Sequence, residues 1–168
     1  FDLTKLEWVN SQHLSNLSIN EFKEHLKPFL SKIDIDIENH SNVNLLINAM
    51  RSSENTLKGI AKSVIPYYKD ELVYDTKAIS KFCSDNSTIL DDIKDLLLNL
   101  DNWEEDDLDS ALKSYQNEKN LPVPKVNQPI RIALTGSTKS PSLGLTLSIF
   151  GKELSIKRID DLITHLNK

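Results

Sequence analysis

The chain has 168 residues, 39% of them hydrophobic, enough for the core of one domain or of two small ones. No apolar run approaches the ~20 residues that a membrane-spanning helix needs, and the opening FDLTKLEWVN lacks the basic start and apolar centre of a signal peptide, so a cytoplasmic chain without membrane association is expected. The formal charge of −5 hides an uneven distribution: residues 85–120 carry 11 acids against 3 bases and residues 121–168 carry 7 bases against 3 acids, which allows phosphate contacts from the final third.

The sequence starts without a methionine and in a pattern that is already helical, as expected of a part of a longer protein. Asp2 is a plausible N-cap, and Leu3, Leu6, Val9 or Asn10, and Leu14 follow at helical spacing, with Trp8 large enough to anchor the packing. Ser18 to Glu21 spells a capping box, with Leu17 and Phe22 placed as a hydrophobic staple; Phe22 and Leu26 turn inward until Pro28, which is expected to end or kink the helix. The short alternating segment IDIDIENHS reads as a connection.

Val43, Leu46, Ile47 and Met50 mark a third helix that ends near the polar run Arg51 to Asn55. Thr56 can cap a fourth, carrying Leu57, Ile60, Ala61 and Val64, which Pro66 should stop. YYKDEL then reads as a hinge, dividing the chain into helical subdomains 1–70 and 71–168. Asp75 or Thr76 starts a short helix through Phe82, beside Cys83, which reads as a buried structural thiol because no histidine partner lies nearby. A longer helix carries Ile89, Leu90, Ile93, Leu96, Leu97 and Leu100. The acids after Trp103 favour the start of the next one, which continues through Leu108, Ala111, Leu112 and Tyr115 until LPVP breaks it.

The stretch from Leu121 to Ile159 admits two readings. IRIALTGSTKS could be a strand that enters a phosphate loop, or a helix that ends at Gly136. Pro129 favours the helix, placed in its first turn with Asn127 or Gln128 as cap. GSTKSPSLG has neither GxxxxGK[ST] nor GxGxxG spacing, and Pro141 removes an amide from any phosphate cradle, which disfavours a nucleotide enzyme. Ser140–Pro141 repeats the cap-then-proline signal, Leu143, Leu147 and Phe150 form the next apolar face, and a last helix uses Ile156, Ile159, Leu162, Ile163 and Leu166 after Gly151. His13, His25, His40 and His165 lack the pairing of metal ligands. An all-α fold is therefore expected, with no catalytic or metal-binding set.

Read together, these residues resemble one family. Phe1-Asp2 with Lys5-Leu6-Glu7-Trp8-Val9-Asn10 is similar to the FDxxKLxWxN segment of bacterial-type glutamyl-tRNA synthetases, and Thr56-Leu57-Lys58 to their TLK. Trp103, the run Gln128 to Gly136, Ser140-Pro141 and Gly151-Lys152-Glu153 resemble W…QPLRxALTG…(S/T)PG…LGKE, in the same order. The resemblance implies two packed helical subdomains forming an anticodon-binding cage, the first of them including the end of the region that contacts the tRNA stem. It further implies a monomer that binds tRNA of the glutamate acceptor type, with glutamine acceptors as additional candidates. The catalytic part, which would use ATP and magnesium to join glutamate to tRNA, lies outside this chain.

By the same resemblance, Arg131, Ser140, Pro141 and Leu143 approach the first anticodon base. An uncovered helix start would offer amides, proline and leucine an apolar surface, and arginine a stacking or phosphate-binding group. The residues alone favour a plain cap at Ser140–Pro141 and a core role for Leu143. The third anticodon base is read in some members by an arginine just before TLK; here Arg51 matches the preceding arginine and Ser53 stands in the reader's place, while Arg51 and Lys58 remain candidates for phosphate. Ser142 occupies a position where the family tends to have glycine. The alternative function, from another class, is a helical protein-interaction module with an acidic docking face.

Overall fold

The computed structural model describes residues 2–84 and 87–168. Among them the protein is all α-helical, with eleven helices and no strand, and divides into two compact units, Phe1–Asp70 and Glu71–Lys168. No described helix is long and apolar enough to cross a membrane.

The first unit holds α1 (Leu3–Asn16), α2 (Ile19–Ser31), α3 (Val43–Ser53), α4 (Leu57–Ser63) and the single turn α5 (Ile65–Tyr68). Asp2 caps α1, its Oδ1 accepting from the Lys5 amide at 3.2 Å. The side chains of Leu3, Leu6 and Trp8, expected to anchor this helix, lie outside the described residues. The capping box forms as spelled: the Glu21 amide donates to Ser18 Oγ, and the Ser18 amide donates to Glu21 Oε2 at 2.9 Å. Phe22, Leu26 and Leu30 of α2 meet Leu46, Ile47 and Met50 of α3 and Ile60 of α4 in a sealed core.

The structure corrects two proline expectations in this unit. Pro28 does not end α2, which continues to Ser31. Pro28 and Glu24, whose carbonyl loses its donor, are both exposed, where solvent can reach that carbonyl, and the extra turn buries Leu30. Nor does Pro66 stop α4, which closes at Ser63; Pro66 lies in the opening turn of α5, where a missing amide costs nothing. Tyr68 of that turn donates its hydroxyl to the Ile37 carbonyl at 2.6 Å, tying the connection after α2 to the end of the unit.

The second unit holds α6 (Thr76–Phe82), α7 (Ser87–Leu98), α8 (Glu105–Glu118), α9 (Val123–Thr135), α10 (Leu143–Phe150) and α11 (Lys152–Leu166). Helix α9 is the hub, packed against all five others. Its Val126, Ile130, Ile132, Ala133 and Leu134 are completely buried, facing Leu90, Ile93 and Leu97 of α7 and Ile159 and Leu162 of α11.

The start of α9 also departs from expectation. It begins at Val123, with Pro124 in the first turn, and Pro129 lies in the interior. A proline does open the helix, but it is Pro124 rather than Pro129. An interior proline costs about 3 kcal/mol, whereas each fully buried Val, Leu or Ile contributes about 1.5–3 kcal/mol. Continuing the helix through Pro129 is therefore favoured, because Val126 and the residues after it stay on one axis. Gly136 ends α9 in the left-handed region at φ 77°, and a Cβ there would sit 2.4 Å from the Val73 carbonyl oxygen, so only glycine fits.

Trp103, Lys152 and Arg158 brace the rest of this unit. Trp103 donates its indole N–H to the Leu147 carbonyl at 2.9 Å, and Lys152 Nζ donates to the Leu100 carbonyl at 2.8 Å just past the end of α7. Arg158, 3% exposed, lies over the Phe150 ring at 4.4 Å and donates Nη1 to the Leu134 carbonyl, closing the last turn of α9.

Candidate nucleic-acid interface

The end of α9 is held from three sides. Gly136 caps it, the Asp75 amide donates to the Gly136 carbonyl at 2.8 Å, and Arg158 takes the Leu134 carbonyl. One turn before the cap, Arg131 leaves the helix on its half-exposed side, fixed to a backbone that cannot shift.

The segment from Ser137 to Pro141 folds back over Arg131. Arg131 Nε donates to Ser140 Oγ at 3.0 Å and Nη2 donates to the Pro141 carbonyl at 3.4 Å. Thr135 steadies the turn by donating to the Arg131 carbonyl at 2.9 Å. Burial draws the Arg131 guanidinium below its ordinary pKa, with the Asp109 carboxylate pushing back; an arginine stays charged through such a perturbation. Its Nη1 makes no hydrogen bond among the described residues, so this edge of a clamped cation is the group left for a ligand. Lys139, exposed in the same segment, adds a second positive charge that sequence reasoning missed, although it is the segment's sole basic residue.

The start of α10 differs from the expected open amide cradle. Its N-cap is Ser142, not Ser140: Ser142 Oγ accepts from the Leu145 amide and donates to Glu105 Oε1 at 2.6 Å. Asp109 Oδ1 accepts from the Gly144 amide at 2.9 Å. Two acids from α8 thus occupy the positive end of α10, where negative charge is stabilising. The polar handhold is consequently the arginine rather than the helix start. Leu143, 3% exposed, and the buried Pro141 point into the core and offer no broad apolar surface. Sequence spacing gave no hint of the Glu105 and Asp109 contacts, which join residues 37 and 35 positions apart.

The remaining candidates lie in the first unit. Arg51 Nη2 donates to the carbonyls of Leu14, Ser15 and Leu17 at 2.7, 2.9 and 2.8 Å, and its guanidinium lies 4.8 Å from the centroid of the Phe22 ring. It serves as the cap at the end of α1. Ser53 is exposed and donates to the Met50 carbonyl at 3.2 Å. Lys58 is exposed in the first turn of α4, which Thr56 caps through the Gly59 amide at 3.0 Å. Arg51 Nη2 is thus committed to the backbone, and Lys58 is the more exposed of the two.

Comparison with known proteins gives one consistent result. The chain is 34% identical over 162 residues to a glutamate–tRNA ligase of Myxococcus xanthus, covering 95% of this chain and 34% of that protein. A glutamate–tRNA ligase of Thermus thermophilus is 30% identical over 161 residues, with the same two coverages. A crystal structure of a glutamate tRNA ligase from Elizabethkingia meningosepticum in complex with its amino acid superposes with a TM-score of 0.81 at 23% identity, over 99% of this chain and 33% of that one, and shares its fold. The chain spans about a third of the length of these relatives. Residues 21–163 match the model of the family described as anticodon binding domain, and the chain belongs to that family.

Proposed function

We propose that this chain recognises the anticodon of a glutamate-accepting tRNA, as part of a ligase that joins glutamate to that tRNA. The clamped Arg131 carries the reading: its Nε and Nη2 are spent on Ser140 and Pro141, and its Nη1 is left unspent among the described residues. A guanidinium held in this way can donate to a base edge or a phosphate, or stack on an unpaired base, with little further loss of side-chain freedom. Lys139 and Lys58 supply phosphate contacts, and Ser53 sits at the end of α3 with its hydroxyl proton turned to the helix backbone. ATP and magnesium serve the catalytic part of the whole ligase. The protein acts as a monomer in the cytoplasm.

Filter binding with glutamate-acceptor tRNA transcripts, unmodified and changed at the first anticodon base, tests the proposal. Wild-type chain should prefer the unmodified anticodon, and Arg131→Ala should lose that preference while keeping its helical circular dichroism. Equal binding of both transcripts by wild type, or an unchanged preference in Arg131→Ala, sinks it. Transcripts changed at the third anticodon base measure what serine at position 53 permits.

A further inference from the structure

A cleft of about 400 Å³ opens at the opposite end of α9 from Arg131, where the last turn of α6 meets the first turn of α9. Lys81 and Lys125 line it, together with the half-exposed ring of Phe82 and the exposed rings of Pro122 and Pro124. Neither lysine makes an ion pair with a described residue, and no described carboxylate lines the cleft. Lys23, Lys27, Lys94, Lys119 and Lys157, by contrast, are paired with acids. Lys81 Nζ lies 5.1 Å from the centroid of the Phe82 ring, placing a cation beside an aromatic face.

The polar groups on this lining point the same way. Ser80 and Ser84 donate their hydroxyl protons to the Thr76 carbonyl and the Ser80 carbonyl, at 3.0 and 2.5 Å. The cleft's positive character therefore rests on the lysines, and α9 begins here without a side-chain cap to neutralise its amide end. Lys81, in the last turn of α6, offsets the carbonyl end of that helix. Flat apolar rings between two unpaired cations match the chemistry of an unpaired nucleotide: a base to stack and a phosphate to neutralise.

We infer that this cleft is a second RNA-contacting site, which takes one unpaired nucleotide by stacking its base on the Phe82 and proline rings and holding its phosphate with Lys81 and Lys125. The inference rests on the tRNA-binding reading and extends it to a surface separate from the Arg131 clamp.

The test measures binding of the tRNA transcripts across a salt series for wild type, Lys81→Ala/Lys125→Ala and Phe82→Leu, with circular dichroism as the fold control. Removing the lysines should lower the slope of log affinity against log salt by about 0.7, the share of the one single-stranded phosphate that they hold together, and leave the anticodon preference intact. Phe82→Leu should weaken binding about fivefold or more at an unchanged slope, through lost stacking. In nuclear magnetic resonance titrations, a short oligouridylate should shift the amides of Lys81, Phe82 and Lys125. Unchanged slope and affinity in both variants, while wild type still discriminates anticodons, overturns the cleft and leaves the Arg131 reading standing. Loss of anticodon-dependent binding by wild type itself removes both. Shifts produced by polyglutamate and not by oligouridylate would assign the cleft to an acidic peptide instead and overturn the inference.

Discussion

Gly144→Ala puts the contact between α8 and α10 to a quantitative test. A Cβ at residue 144 would lie 2.6 Å from Asp109 Cγ, Asp109 Oδ1 and the Glu105 carbonyl oxygen. The Asp109 carboxylate, on the exposed side of α8, can rotate away at the cost of its hydrogen bond to the Gly144 amide. The Glu105 carbonyl belongs to helix backbone and cannot. Overpacking of this kind costs about 1–3 kcal/mol, and a lost charge-assisted bond about 1.5–3 kcal/mol. Against them stands a gain of about 0.8–1 kcal/mol from replacing glycine by alanine within a helix. The balance is a destabilisation of about 1.5–5 kcal/mol, which for a unit of roughly 100 residues lowers Tm by about 6 °C or more. Calorimetry of the single variants and of Gly144→Ala/Asp109→Ala separates the parts. The double variant lacks the same hydrogen bond, so against Asp109→Ala alone it should show only the cost of the clash with the Glu105 carbonyl. An unchanged or raised Tm in Gly144→Ala would refute the claim that α8 and α10 touch through this glycine.

Other consequences follow from single side chains. Arg51→Ala should cost about 2 kcal/mol in denaturant titrations, within the range for hydrogen bonds from a charged group, and Arg51→Lys should recover little of it because an ammonium does not reproduce the planar fork over the Phe22 ring. Trp103→Phe keeps an aromatic ring but leaves the Leu147 carbonyl without its indole donor, for a loss of about 1–2 kcal/mol by the same assay. Burial pushes the Cys83 thiol up to about 11 from an ordinary value of 9.0. A raised thiol pKa means that the folded chain keeps its proton where the unfolded chain has lost it. At pH 9 alkylation of Cys83 should therefore be about 50-fold slower than in denatured protein, from thiolate fraction alone. Equal rates would show the thiol to be ionised and accessible.

Local signals carried most of the fold. The capping box at Ser18, the caps at Thr56 and Asp75 and the glycine stop at Gly136 each act over four residues or fewer, and each forms. The prolines misled because the cost of one missing amide is local while its compensation is not. Pro28 is tolerated because the next turn buries Leu30, and Pro129 because α9 packs against five other helices. Neither circumstance can be seen in a window of seven residues. For the same reason Ser140 looked like the cap of α10: Ser-Pro is a common opening, but here Arg131 claims the Ser140 hydroxyl oxygen as an acceptor, and Ser142 takes the capping role.

The site shows the same division between what neighbours in sequence can signal and what the fold assembles. The basic residue of the motif, Arg131, stands out in sequence, whereas its restraint by Ser140 and Pro141 and the nearby charge of Asp109 come from the fold. That restraint changes what the helix junction can do. With Glu105 and Asp109 already on the start of α10, an approaching phosphate meets two carboxylates there and a guanidinium edge on α9. Under the proposed function, negative charge is repelled from one side and attracted to the other, and a polyanion engages this surface with its phosphates toward Arg131 and Lys139. A neutral base edge has no such penalty at the carboxylates and can donate to them. The arrangement therefore favours a base, rather than backbone, over the α10 start, and it accounts for an acidic helix packed against the most basic third of an anticodon-binding chain.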